Sequence, residues 1–301
     1  MEIPFDLLYI VASFYTKPRM KLLDWIPKYK LNWEYLSDNI NAITMIELAL
    51  QQDQNKIDWD KLSCNPQALH ILEKHPDKIN WDRLSENPNA IHLLEKYPDK
   101  IKWAYLSRNP NAIYLLEKNF NKIHWYELSM NPNAISLLEK YPEKIDWWYL
   151  SSNPNAIHLF EIVLQQDLSE LDWCCLSKNP NAIHILEKYP DKIDWTMLSS
   201  NPNLLNAIHI LEKNLDKICW ENLSMNPNAI HILESHPDKI HWYSLSENPN
   251  AMHLLEACFK NQFASMIDWE YLSANPSIFE IDIKQMKIEL TKKAKNIDIY
   301  K

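Results

Sequence analysis

One pattern of about 22 residues recurs along the chain, roughly Ile-Asp-Trp-x-x-Leu-Ser-x-Asn-Pro-Asn-Ala-Ile-His-Leu-Leu-Glu-Lys-Tyr-Pro-Asp-Lys. Its tryptophans stand at Trp33, Trp59, Trp81, Trp103, Trp125, Trp147, Trp173, Trp195, Trp220, Trp242 and Trp269. A fixed period of this length marks stacked supersecondary units, each too small to bury its own apolar face, so neighbours must share one continuous core. The expected fold is an all-α solenoid of about eleven 22-residue, two-helix repeats. The array runs over residues 26–277, between helical caps at 1–25 and 278–301, because an open stack leaves an apolar face bare at either end.

The unit from Trp81 to Lys102 serves as a specimen. A short first helix is predicted over Trp81 to Glu86, introduced by an Asp or Asn whose side chain accepts from free first-turn amides (Asp58, Asn80, Asp146, Asp172, Asp194, Asp268). A second helix is expected from Asn87-Pro88 to about Tyr97. Asn caps, Pro suits the first helical position, and Pro98 excludes helix from the residue before it. Ala90, Ile91, Leu93 and Leu94 then cover an arc of about 160°, the width of a core-facing stripe. Neither helix is long enough to stand alone. Leu-Ser-x-Asn occurs in all eleven units, from Leu36 to Asn39 through Leu272 to Asn275. A polar pair so repeated is expected to form a stacked hydrogen-bond ladder at the turn between helices. Units at Trp33, Trp147, Trp195 and Trp242 are longer, through Leu48–Gln51, Ile162–Gln165, Leu204–Asn206 and Cys258–Ser265.

Composition narrows function. The 301 residues contain no glycine, where ordinary usage would place about 20, so no P-loop, dinucleotide-binding turn or nucleophile elbow can be written. Five cysteines, Cys64, Cys174, Cys175, Cys219 and Cys258, follow no ligand spacing and read as reduced thiols. The net charge of −9 disfavours nucleic acid, whose affinity rests on neutralising phosphates. The apolar run from Phe5 to Tyr15 is too short to span a bilayer, and no membrane partner is expected. A column of histidines (His70, His92, His158, His184, His209, His231, His253) places one imidazole per unit, too far from the next for a shared metal. The expectation is a non-enzymatic protein without metal or cofactor.

Variation concentrates at the two residues after each Trp and at the x of Leu-Ser-x-Asn. Aromatic residues gather there on consecutive units, Tyr105, Tyr126, Trp148 and Tyr149. Exposed aromatics are enriched where proteins dock, so these four are the predicted partner patch.

The blocks Asn-Pro-Asn-Ala-Ile, Leu-Leu-Glu-Lys, Pro-Asp-Lys-Ile-Asp-Trp and Leu-Ser-x-Asn resemble the repeats of proteins from amoeba-infecting giant DNA viruses of the mimivirus group. That resemblance spans nearly the whole chain and implies expression in the cytoplasm of an infected host. The opening Ile3-Pro4-Phe5-Asp6-Leu7-Leu8-Tyr9-Ile10-Val11-Ala12-Ser13-Phe14, with Leu22-Leu23 downstream, is similar to the start of an F-box. Through it Pro4, Leu7, Leu8, Ile10 and Phe14 would contact a Skp1-like adaptor of a ubiquitin ligase. The same run also reads as a plain hydrophobic cap, and it departs from the F-box pattern by leading almost directly into Trp33.

Overall fold

A computed structural model describes residues 19–164 and 168–288. Among them the chain is an array of short helices, as the period predicts. In the specimen unit the first helix is Trp81–Glu86, and Asn80 Oδ1 accepts from the amides of Asp82 and Arg83 at 3.1 and 3.2 Å. Asp58, Asp146, Asp172, Asp194 and Asp268 cap their helices in the same way.

The second helix begins later than predicted, at Ile91, and ends at Lys96. Asn87 does not cap it. Its Oδ1 folds onto the Asn89 amide at 3.1 Å, closing a turn through Pro88, while its Nδ2 donates to the Ser63 carbonyl of the preceding unit at 3.1 Å. Beyond Tyr97, Pro98–Lys100 forms a 3₁₀ turn, so a unit holds three elements rather than two. The core is made by the leucines and alanines, with Leu84, Ala90 and Leu94 fully buried. Trp81 is only half-buried, lying edge-on to Tyr97 with ring centroids 5.3 Å apart. Trp125 with Tyr141 and Trp173 with Tyr189 repeat that contact.

The Ser and Asn positions build the expected ladder. Ser85 Oγ donates to the Trp81 carbonyl at 2.7 Å and accepts from the amide of Lys102 at 3.0 Å. Asn109 Nδ2 donates to the carbonyls of Ser85 and Asn87 at 3.0 and 2.8 Å, and Asn111 Nδ2 to that of Pro88 at 2.9 Å. Each such bond contributes about 0.5–1.5 kcal/mol net, but leaving a buried partner unpaired costs about 1–3 kcal/mol. No buried side-chain nitrogen or oxygen among the described residues lacks a partner.

The ladder does not stop at the ends. Asn39 Nδ2 of unit 1 donates to the Ser273 and Asn275 carbonyls of unit 11 at 2.9 and 2.8 Å, and Asn41 Nδ2 to Pro276 at 2.9 Å. The Asn32 amide reaches Ser273 Oγ at 2.9 Å. Unit 1 therefore stands to unit 11 as each unit stands to the one before it, and the solenoid closes into a ring. Over eleven units, closure requires a turn of about 33° per unit, of the size that sets curvature in repeat arrays.

The termini fasten the seam. Met20–Leu22 (β1) pairs antiparallel with Phe279–Ile281 (β2), with Lys21 opposite Glu280 and their side chains 2.8 Å apart. The Leu23 amide donates to the Ile278 carbonyl at 2.9 Å. The described part of the N-terminal segment is thus an extended clasp, not a helical cap, because the end that a cap would cover is already covered by unit 11. Beyond β2 the chain is helical over residues 283–288 and buries Met286; the rest of the closing helix expected over 278–301 lies outside the described residues.

The two helix layers differ in spacing. First helices pack against those of neighbouring units, and the first helix of unit 1, Trp33–Asp38, packs against Trp269–Ala274 of unit 11. Second helices stand farther apart, with clefts of about 350, 330 and 220 Å³ between neighbours. In a closed ring the more closely spaced layer has the smaller radius, so the first helices line the inside. At ordinary helix spacing, eleven of them enclose an opening on the order of 20 Å across.

Candidate functional site: the inner face of the ring

On a first helix, Leu36 and Ser37 face the core and are fully buried, whereas Glu34, Tyr35 and Asp38 lie on the opposite side. Most of the variable positions recognised in the sequence therefore face the opening, Glu127 and Ser244 being buried exceptions. Their chemistry is uneven. The residue directly after the Trp is acidic at Glu34, Asp60, Asp82, Glu221 and Glu270, aromatic at Tyr126, Trp148 and Tyr243, and in no unit Lys or Arg.

Three cations at this face are held by its own carboxylates. Lys61 pairs with Glu34 at 3.1 Å and Lys102 with Asp82 at 3.4 Å, while Arg108 bridges Glu127 and Glu86. Burial raises the carboxyl of Asp38 above its usual range, against the pull of Lys61 and Arg83. Cys174 and Cys175 occupy the same face in unit 7. Burial raises both thiols, and Cys175 is pushed up to about 12 with the added effect of its bond to Asp172. Neither has the thiolate character of a nucleophile at neutral pH.

Of the predicted patch, Tyr126, Trp148 and Tyr149 are 41%, 55% and 38% exposed, and the Tyr126 and Tyr149 rings lie 5.6 Å apart. Tyr105 is half-buried one unit earlier and makes no ring contact with them among the described residues. Pro4, Leu7, Leu8, Ile10 and Phe14, the residues of the adaptor resemblance, lie outside the described residues. Leu22 and Leu23, downstream of that resemblance, belong to the clasp.

A second aromatic group escaped the sequence. Tyr271 of unit 11 stands perpendicular to Tyr243 of unit 10, with centroids 5.5 Å apart, and to Tyr35 of unit 1 at 6.3 Å. Tyr243 bonds the Asp268 carboxylate, which pushes its phenol up to about 12 and keeps it neutral. Each tyrosine occupies one of the two positions after a Trp, which was the available signal. Only ring closure brings Tyr35 to Tyr271.

The histidines have a role in the outer layer. His92 Nε2 meets Glu73 Oε1 of the preceding unit at 3.0 Å, and His70, His158, His209 and His253 repeat the pairing with Glu47, Glu139, Glu187 and Glu234. Tyr114, which interrupts the column, reaches Glu95 at 3.3 Å. These pairs bridge the gap between splayed helices. No group of three His, Cys, Asp or Glu side chains converges as a metal site among the described residues, nor is any described helix long and apolar enough to cross a membrane. A scan against protein-family models, a search of curated proteins and a search of solved structures each found no match.

Proposed function

We propose that this ring is a non-enzymatic protein-interaction scaffold whose variable inner face selects its partner. The observation that carries the reading is the division of labour within each unit. Leu, Ser and Asn are committed to core and ladder in all eleven units, whereas most of the residues that change from unit to unit line the opposite face, which is exposed at Tyr126, Trp148 and Tyr149 and buried at Glu127 and Ser244. Recognition by helical repeats follows this scheme, with a fixed frame presenting substitutable side chains, and Trp and Tyr supply the anchors. Kinship with the repeat proteins of amoeba-infecting giant viruses, and action in the host cytoplasm, belong to the same proposal; the wording of the repeat blocks and five unpaired cysteines support them.

The test is capture from amoeba lysate with the intact chain and with a Tyr126→Ala/Trp148→Ala/Tyr149→Ala variant whose circular dichroism and melting midpoint match it. Proteins held by the first and lost by the second support the proposal. An unchanged set places recognition off this face and overturns it. A third chain lacking residues 1–18 keeps β1 and the seam. Loss of a Skp1-like adaptor with that chain alone would add the ligase-receptor role to the ring.

A further inference from the structure

The chain contains an occupied example of the ligand chemistry its inner face can offer. In unit 1 the consecutive residues Glu34 and Tyr35 hold the Lys61 ammonium of unit 2, which lies 3.1 Å from the carboxylate and 3.6 Å from the ring centroid. An ammonium between a carboxylate and an aromatic face gains from both the charge and the ring quadrupole. Unit 11 repeats the pair at the same repeat positions, as Glu270 and Tyr271. There the next unit around the ring is unit 1, and it supplies Tyr35 where unit 2 supplies Lys61. Among the described residues no lysine or arginine pairs with Glu270 or lies over Tyr271, and Glu270 Oε1 accepts a long contact from Asn32 Nδ2 at 3.5 Å.

In place of the missing cation stands an aromatic corner. Tyr271, 36% exposed, and Tyr243, 53% exposed, meet at 89°, with Tyr35 beyond and Glu270 alongside. Perpendicular rings beside a carboxylate are the walls of an ammonium-binding cage. Lys61, which lies over the Tyr35 ring, is paired with Glu34.

We propose that Tyr243, Glu270 and Tyr271 form a seat for a lysine-type ammonium carried by a basic, extended segment of a partner protein that enters the opening. This rests on the inner face being the recognition surface and names the chemistry it recognises. The column after the Trp, acidic or aromatic at many positions and basic at none, gives such a segment a complementary path along the remainder of the face.

The experiment uses the intact chain and a fluorescein-labelled dodecapeptide of alternating lysine and serine, read by anisotropy at low ionic strength. Saturable binding is expected, with a Tyr243→Leu/Tyr271→Leu variant weakened roughly five- to thirtyfold and Tyr243→Phe/Tyr271→Phe close to the parent. Tyr35→Lys should fill the seat from within, as Lys61 fills the first, and lower affinity while keeping the fold. It and Glu270→Gln keep the proposal testable should the double leucine variant fail to fold. Neutralising two carboxylates of the 3₁₀ turns, Asp77→Asn/Asp238→Asn, should change affinity less than twofold.

Absence of saturable binding overturns the proposal. So does equal weakening by the Asp77/Asp238 variant, or stronger binding of an oligoglutamate peptide or single-stranded RNA of the same length. If the lysine peptide fails while the Tyr126/Trp148/Tyr149 variant still loses its captured proteins, the scaffold stands and only the ammonium seat falls.

Discussion

The interface between units 3 and 4 and the interface between units 11 and 1 are made of the same parts. Asn109 reaches back to Ser85 and Asn87, and Asn39 reaches back to Ser273 and Asn275, with bond lengths between 2.8 and 3.0 Å in both. They differ in one respect. The chain crosses the first through Pro98–Lys100, whereas the second is held only by contacts and by the β1–β2 clasp. Side-chain chemistry thus sets how well two units fit, and chain connectivity sets how readily they part.

That comparison can be broken most severely by removing one unit, residues 103–124. An open solenoid would lose one increment of core and keep its ends. In the ring the seam would have to re-form at about 36° per unit. The expected outcome is loss of seam contacts, seen as a fall in the melting midpoint of more than about 10 °C or as assembly through the exposed end units, read by calorimetry and light scattering. A midpoint shift no larger than that of an ordinary core substitution would show that the ring is not under this constraint.

Next in size, Phe279→Ala removes a buried clasp side chain beside Leu22 and should cost about 3–5 kcal/mol in urea unfolding. The ladder itself offers a matched pair. Asn109→Leu and Asn39→Leu each strand two backbone carbonyls and should cost about 1–3 kcal/mol. Only the second should speed hydrogen exchange at the Asn32 amide, bonded across the seam to Ser273, over that of Lys102, bonded to Ser85. Equal exchange at both amides would make the seam as firm as a covalent step. The smallest effect is expected from Glu280→Gln. It removes an exposed ion pair with Lys21 and should leave the midpoint nearly unmoved at moderate salt.

Much of the unit was legible because its signals are local. Asp58 and Asn80 cap where an amide acceptor before a Trp predicts a cap, and Leu-Ser-x-Asn forms rungs because an invariant polar pair in an apolar setting must be satisfied. The start of the second helix was misjudged at Asn87, whose Oδ1 closes a turn on the Asn89 amide through Pro88, so that the helix begins only at Ile91. Closure was not legible at all. It depends on the small difference in spacing between inner and outer helices, summed over eleven steps, and no single residue records that sum. For the same reason the patch at Tyr126, Trp148 and Tyr149 could be found by scanning neighbouring units, while the corner at Tyr35, Tyr243 and Tyr271 joins residues from opposite ends of the chain.

Unequal unit lengths take on a different meaning once the array is a circle. The second helix runs Ile43–Gln52 in unit 1, Leu204–Glu212 in unit 8 and Met252–Lys260 in unit 10, against Ile91–Lys96 in unit 3. Their extra residues sit in the outer layer, where the clefts leave room. The first helices never exceed the six residues of Trp81–Glu86. Such a ring can thicken outward one helical turn at a time, but around its circumference it must count in whole units. A lineage of these proteins could therefore vary its rim gradually, and the bore only by gaining or losing an entire repeat.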